Sequence, residues 1–208
     1  MRRALVLVSG GLDSTVALWW ARQACSEVVP LTFHYPGRPR GEKKATREIA
    51  ALAGLKPIEA ELPFLHEAAD VDASRKQARF AAAPPGYIPA RNALFYAAAC
   101  YQASVLGCEM VVGGHNAEDA ARFPDASRAF FADLQALLHR GLWSGPGVPA
   151  PRLEMPLIGL DRDGVVTLGV GLGAPIDATW SCYEDGEGPC GACPACVRRG
   201  DLISRATA

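Results

Sequence analysis

An α/β fold, a parallel sheet covered by helices on both faces, is predicted by three observations. Short apolar runs at 4–8, 28–33 and 109–112 each lead into a loop and then a helix-length segment, the alternation of a parallel sheet. The runs are nearly continuous in apolar residues, as expected of strands buried on both faces. The first run breaks at Gly10-Gly11 and restarts as a helix, a junction that permits a tight turn beneath a ligand. With 208 residues, half of them hydrophobic, the chain is long enough for one globular domain over 1–208.

In chain order, 4–8 is the first strand, and a helix runs from Asp13 or Ser14 to Gln23, with Val16, Leu18, Trp19 and Trp20 available for burial. The second strand is 28–33. The loop 34–40 connects it to a helix at 42–53, which Gly54 terminates. Residues 56–61 form a short third strand. The stretch 62–85 lacks a clean period and reads as a helical insertion ending at Pro84-Pro85-Gly86, of unassigned role. Leu94, Phe95, Ala98, Tyr101, Gln102 and Val105 recur at helical intervals, giving a helix over 92–106 that Asn92 is placed to cap. A fourth strand at 109–112 runs into Gly113-Gly114. A Gly/Pro-rich loop spans 144–151, followed by a late strand at 153–158 and a short helix at 161–172.

Formal net charge is −1, so there is no global basic field to gather nucleic acid or an anionic membrane, and a small-molecule substrate is expected. The N-terminal apolar run of about five residues is too short for a signal-peptide core of roughly seven to fifteen, and no stretch approaches a ~18-residue membrane span, which predicts a cytoplasmic protein. Seven cysteines, four of them close to the C-terminus, point to metal ligation in a reducing compartment.

In an open parallel sheet the ligand sits beyond the carboxyl ends of the strands. After the first strand comes Val8-Ser9-Gly10-Gly11-Leu12-Asp13-Ser14-Thr15. Two glycines bring backbone close to an anion, the helix start aims unpaired N–H groups at it, and Ser9, Ser14 and Thr15 add hydroxyls. There is no loop lysine and the spacing is not G-x-x-x-x-G-K-[ST], which excludes the P-loop of phosphoryl transfer. Asp13 is not an anion ligand; we assign it to orienting Mg²⁺. The 34–40 loop, with Tyr35 and Arg38, taken alone reads as a solvated turn. Gly113-Gly114-His115-Asn116-Ala117-Glu118-Asp119 gathers an imidazole, an amide and two carboxylates. Arg91, at a helix start, is suited to a phosphate or carboxylate.

Cys182, Cys190, Cys193 and Cys196 form a Cys followed by a Cys-x-x-Cys-x-x-Cys knuckle. Four thiolates fit a closed, structural tetrahedral zinc in a region at about 179–199; an iron–sulfur cluster is the competing reading, although the spacing differs from ferredoxin patterns. Cys25, Cys100 and Cys108 read as small buried hydrophobes.

Ser9-Gly-Gly-Leu-Asp-Ser14, Thr179-Trp-Ser-Cys-Tyr183 and the cysteine knuckle together resemble the 7-cyano-7-deazaguanine synthases, queuosine-pathway enzymes of the PP-loop ATPase type, over nearly the whole chain. Phe33, Tyr35, Arg38, Glu42, Pro89, Arg91, Asn92, Asn116, Glu118, Asp119, Pro124 and Asp125 match further family positions. The resemblance implies an adenine nucleotide alpha hydrolase-like fold and ATP-dependent conversion of 7-carboxy-7-deazaguanine and ammonia to 7-cyano-7-deazaguanine. It also implies ATP held at residues 8–15, structural zinc, usually a homodimer, and Asp13, Arg91 and Asp119 as the catalytic group. This chain departs from the family at His34, Pro36-Gly37, Pro39, Ala90 and within 119–127. Three alternatives therefore stand: a related carboxylate as substrate, another PP-loop adenylating enzyme acting on an RNA base, and a non-catalytic nucleotide-binding module.

Overall fold

The computed structural model of the chain describes residues 2–84, 86–143, 145, 148, 150–186 and 188–206. Pro85 of the predicted insertion end and Ser144, Pro146, Gly147 and Pro149 of the predicted 144–151 loop lie outside these residues. Five strands, β1 (Arg3–Leu7), β2 (Glu27–His34), β3 (Ile58–Glu61), β4 (Met110–Val112) and β5 (Arg152–Glu154), form one sheet in the order β3-β2-β1-β4-β5, every pair parallel.

Period-two alternation explains why these segments are strands. Ala4 and Val6 of β1 and Met110 and Val112 of β4 face one core layer, while Leu5 and Val111 face the other. The first layer is completed by α1 (Leu12–Ala24), α2 (Arg40–Leu52), α7 (Arg162–Gly171) and α8 (Pro194–Ala206). The second is completed by α4 (Arg91–Leu106) and α6 (Arg128–Gly141). Helices thus cover both faces. Pro30 is tolerated in β2 because Leu31 O accepts from Val8 N–H on the β1 side. Its neighbour Pro30 therefore points its missing N–H toward β3, which begins only opposite Leu31.

Several elements differ from the sequence reading. The 62–85 insertion holds a single short helix, α3 (Ala68–Arg75), stopped where Lys76 turns left-handed. Strand β5 ends at Glu154, and Asp161 caps α7 by accepting from Gly164 N–H at 2.8 Å. Helices α5 (Ala117–Arg122), α6 and α8 have no counterpart in the sequence reading. Asn92 does not cap α4. The cap position is Ala90, and Asn92 instead donates its backbone N–H to Asp125 Oδ2 at 3.2 Å and its Nδ2 to Asp125 O at 2.8 Å. Asp125, carried on a 3-10 turn at Pro124–Ala126, thereby satisfies the α4 start from a distance.

Ala90 itself has φ +56°, a left-handed conformation in which a Cβ is strained. The departure noted at Ala90 thus falls on a position whose geometry suits glycine. Ala90→Gly should therefore raise stability by about 1 kcal/mol and the melting temperature by roughly 2–4 °C. A melting curve unchanged or lowered by the substitution would show that the turn carries no strain.

Candidate active site and cysteine knuckle

Strand order reverses between β1 and β4: the chain moves from β1 to β2 and β3 on one side, then crosses to β4 and β5 on the other. The loops after β1 and β4 consequently splay apart into a crevice. A cavity of about 280 Å³ lies there, bounded by Ser9, Gly11, Asp13 and Ser14 from the first loop and by Gly114, His115 and Asp119 from the second. Arg91, Phe95 and Tyr96 of α4 and Tyr35, Arg38 and Glu42 also line it.

The first loop is held with its carbonyls engaged. Ser9 O accepts from Arg38 at 2.8 Å, Gly10 O from Trp180 N–H at 2.8 Å, and Gly11 O from Ser14 Oγ at 3.0 Å and Thr15 Oγ1 at 2.8 Å. Gly10 has φ +88°, and a Cβ there would lie 2.6 Å from Glu42 O. Only glycine fits that packing. At α1 the cap residue is Gly11, so no side chain occupies the helix start. An anion can take that place.

Arg38 corrects the solvated-turn reading. It is 6% exposed, and its guanidinium donates to Glu42 Oε2, Thr32 Oγ1, Phe33 O, Ser9 O and Thr46 Oγ1. These bonds use all five of its donors. Tertiary partners on β2, α2 and the phosphate loop bury it. His34, one of the departures from the family, is also buried: its Nε2 meets Glu59 Oε2 at 2.7 Å, and Glu59 is held by Arg47.

Across the crevice Asn116 is fully buried and joins both loops. Its Nδ2 donates to Asp13 Oδ1 at 3.0 Å, while its Oδ1 accepts from Glu118 N–H and Asp119 N–H to cap α5. Asp119 completes the capping box by accepting from Asn116 N–H. Gly114 allows this approach, since a Cβ would come 2.6 Å from the Asp13 backbone.

Burial raises the Asp13 carboxyl to about 6, against the Asn116 hydrogen bond, and it also raises the Asp119 and Glu42 carboxyls. Among the described residues no ion pair involves Arg91, whose charge opposes the upward push of burial on the Tyr35 hydroxyl. The predicted trio of Asp13, Arg91 and Asp119 does line one cavity.

The four knuckle sulfurs lie within 4.8 Å of one another, with Cys190 Sγ and Cys196 Sγ 3.9 Å apart. Tetrahedral zinc–thiolate bonds of about 2.3 Å require sulfurs about 3.8 Å apart, so the set fits a four-sulfur metal site. Backbone N–H groups of Glu184 and Cys190 point at Cys182 Sγ, that of Cys193 at Cys190 Sγ, and that of Cys196 at Cys193 Sγ. Such donors favour thiolates. Cys100 and Cys108 are buried, and Cys25 is half-buried against Met110.

His115, packed against Tyr96 and Phe131, is held by burial down to about 4. An unfolded histidine protonates near 6.5, so the stability contributed by neutral His115 is complete above that pH and is lost as pH falls toward 4. Asp13 acts oppositely, since protonating it on acidification relieves its burial. Comparison with His115→Gln isolates the first effect. Between pH 7 and 4.5 the wild type should lose about 2 kcal/mol more stability than the variant in equilibrium denaturation. Equal losses would mean that His115 protonates freely in the folded chain.

The model of the family described as "Queuosine biosynthesis protein QueC" matches residues 3–205. The chain is similar to a 7-cyano-7-deazaguanine synthase from Anaeromyxobacter dehalogenans, 36% identical over 209 residues, 95% of this chain and 89% of that protein. The 7-cyano-7-deazaguanine synthase from a Nitratiruptor species is 31% identical over 204 residues, 95% of this chain and 91% of that one. Among solved structures, a predicted tRNA methyltransferase subunit from Methanocaldococcus jannaschii superposes with TM-score 0.53 at 19% identity, covering 82% of this chain and 75% of the other. A 4-thiouridine synthetase solved with RNA and bound ATP gives 0.54 at 17% identity, over 99% of this chain and 50% of the other. These two share the fold. Matched almost end to end by the family model and at a third of positions by curated members, the chain belongs to the queuosine biosynthesis protein QueC family.

Proposed function

We propose that this protein is an ATP-dependent carbon–nitrogen ligase that converts 7-carboxy-7-deazaguanine and ammonia to 7-cyano-7-deazaguanine. Family membership supports the substrate class, and one structural observation supports the chemistry: an uncapped helix start, with the preceding carbonyls engaged elsewhere, opens into the cavity that holds Arg91.

A carboxylate is a poor acylating agent because oxide is a prohibitive leaving group. Attack of its oxygen on the α-phosphorus of ATP forms an acyl-adenylate and expels pyrophosphate. Charge growing on the pyrophosphate is met by the α1 N-terminus and the hydroxyl of Ser9. Ammonia then adds to the acyl carbon, AMP leaves, and the nitrogen loses a proton to give the amide. Adenylation of the amide oxygen by a second ATP expels a second pyrophosphate and makes a second AMP leaving group, and loss of AMP and of both nitrogen protons yields the nitrile. Arg91 holds the substrate carboxylate, and Asp119 orients the base. Asp13, a half-buried carboxylate whose side-chain donor is a neutral amide, fits a cation ligand. Mg²⁺ bound there with phosphate oxygens would offset nucleotide charge. Cys182, Cys190, Cys193 and Cys196 hold structural zinc. The family reading also supports a cytoplasmic homodimer.

A second reading is favoured by Phe123 and Ala126, two of the altered positions, which line the cavity. They support a related deazapurine carboxylate as substrate. Pyrophosphate release with 7-carboxy-7-deazaguanine, other carboxylated deazapurines or no acceptor, followed by product mass, separates the readings. Nitrile formed from the first acceptor is expected; release with none of them would overturn the proposal.

Asp13→Asn keeps an oxygen able to accept from Asn116 while removing the half-buried charge. Pyrophosphate release should fall roughly 10²-fold, about 3 kcal/mol of transition-state stabilisation, while the melting temperature holds or rises. Rate and thermal stability measured across a Mg²⁺ titration check this, and an active variant with unchanged Mg²⁺ dependence would remove the metal from the loop.

A further inference from the structure

Trp180 bridges the cysteine knuckle and the phosphate loop. Its backbone N–H donates to Gly10 O at 2.8 Å, and its indole Nε1 donates to Cys182 O at 2.9 Å. A peptide plane points its C=O and N–H in opposite directions. Drawing Gly10 O toward Trp180 therefore turns the Gly11 N–H away from Trp180. The ring rests on α2 where that helix starts: a Cβ on Gly41 would lie 2.2 Å from it.

On the other side, Cys182 is fixed by the knuckle, with its sulfur accepting from Glu184 and Cys190 N–H. Arg199 of α8 pins the approach through Thr179 Oγ1 and Asp177 O. A separate, exposed tie joins Arg40 to Asp185 at 3.0 Å.

We propose that Trp180 is a positioning residue that couples metal occupancy of the knuckle to nucleotide affinity of the phosphate loop. Metal in the cysteine cluster fixes the Cys182 carbonyl, which fixes the indole and with it the Gly10 peptide. Binding linkage makes the effect reciprocal, so nucleotide must tighten the metal by the same factor. The inference rests on the zinc and nucleotide readings above, and each is read separately in its test.

Zinc-loaded full-length protein is challenged with a chromogenic chelator in the presence and absence of α,β-methylene-ATP, whose binding is measured by calorimetry. Zinc affinity should rise at least about 5-fold with the analogue, matching the gain in analogue affinity on zinc loading. Trp180→Phe keeps a ring but removes the Nε1 donor, and Gly41→Ala crowds the ring from below. Both should retain one zinc per chain and lose most of the coupling, whereas Asp185→Asn should keep it. If the zinc-free chain unfolds, chelator competition on the loaded protein carries the test alone. Zinc release indifferent to bound analogue in the wild type, or full coupling in both Trp180→Phe and Gly41→Ala, would overturn the proposal. A chain that holds no zinc, or does not bind the analogue, overturns the underlying reading and the coupling with it.

Discussion

The site depends on a constraint on three carbonyl groups. A loop that receives an anion must keep its oxygens away from it, and at Ser9, Gly10 and Gly11 each oxygen already has a partner: a guanidinium, a tryptophan N–H and two hydroxyls. These partners come from different elements. Arg38 follows β2, Trp180 leads into the knuckle, and Ser14 and Thr15 belong to α1. The loop is preorganised because much of the fold converges on it, so its donors require little rearrangement when charge arrives.

The carboxyls of Asp13, Glu42 and Asp119 are all raised by burial, and the guanidinium of Arg38 is committed to neighbouring protein groups. The crevice is therefore rich in desolvated acids, an environment that repels a nucleotide unless cations accompany it. That balance supports the proposal of Mg²⁺ at Asp13 and of Arg91 as the partner of the organic substrate's own charge.

The sheet, the glycine loop between β1 and α1 and the cysteine cluster were legible in sequence because each is encoded by contiguous residues: an apolar run, a glycine pair and regular cysteine spacing. Arg38 was not, because its burial arises from partners on β2, α2 and the first loop. Asn92 failed as a cap for a similar reason, since Asp125 does that work from more than thirty positions away. The omission of α6 differs. Phe130, Phe131, Leu134, Leu137 and Leu138 carry its helical period after Ser127, whose Oγ accepts from Phe130 N–H, so the signal is present in the sequence. Departures from the family also divide by position. His34 is absorbed in a hydrogen-bonded cluster with Glu59 and Arg47, while Phe123 and Ala126 face the cavity where a substrate would sense them.

The starts of α1, α4 and α5 beside the crevice are not alike. Asp125 occupies the start of α4, and Asn116 with Asp119 occupies that of α5, but at α1 the cap is a bare glycine. The cleft is consequently directional, with one terminus open to phosphate and two already filled by the protein's own acids and amide. Of these three starts, only that of α1 would offer a triphosphate a favourable docking end. In the proposed reaction the carboxylate to be activated would approach from the α4 and α5 side, and a reversed nucleotide would place its charge against Asp119.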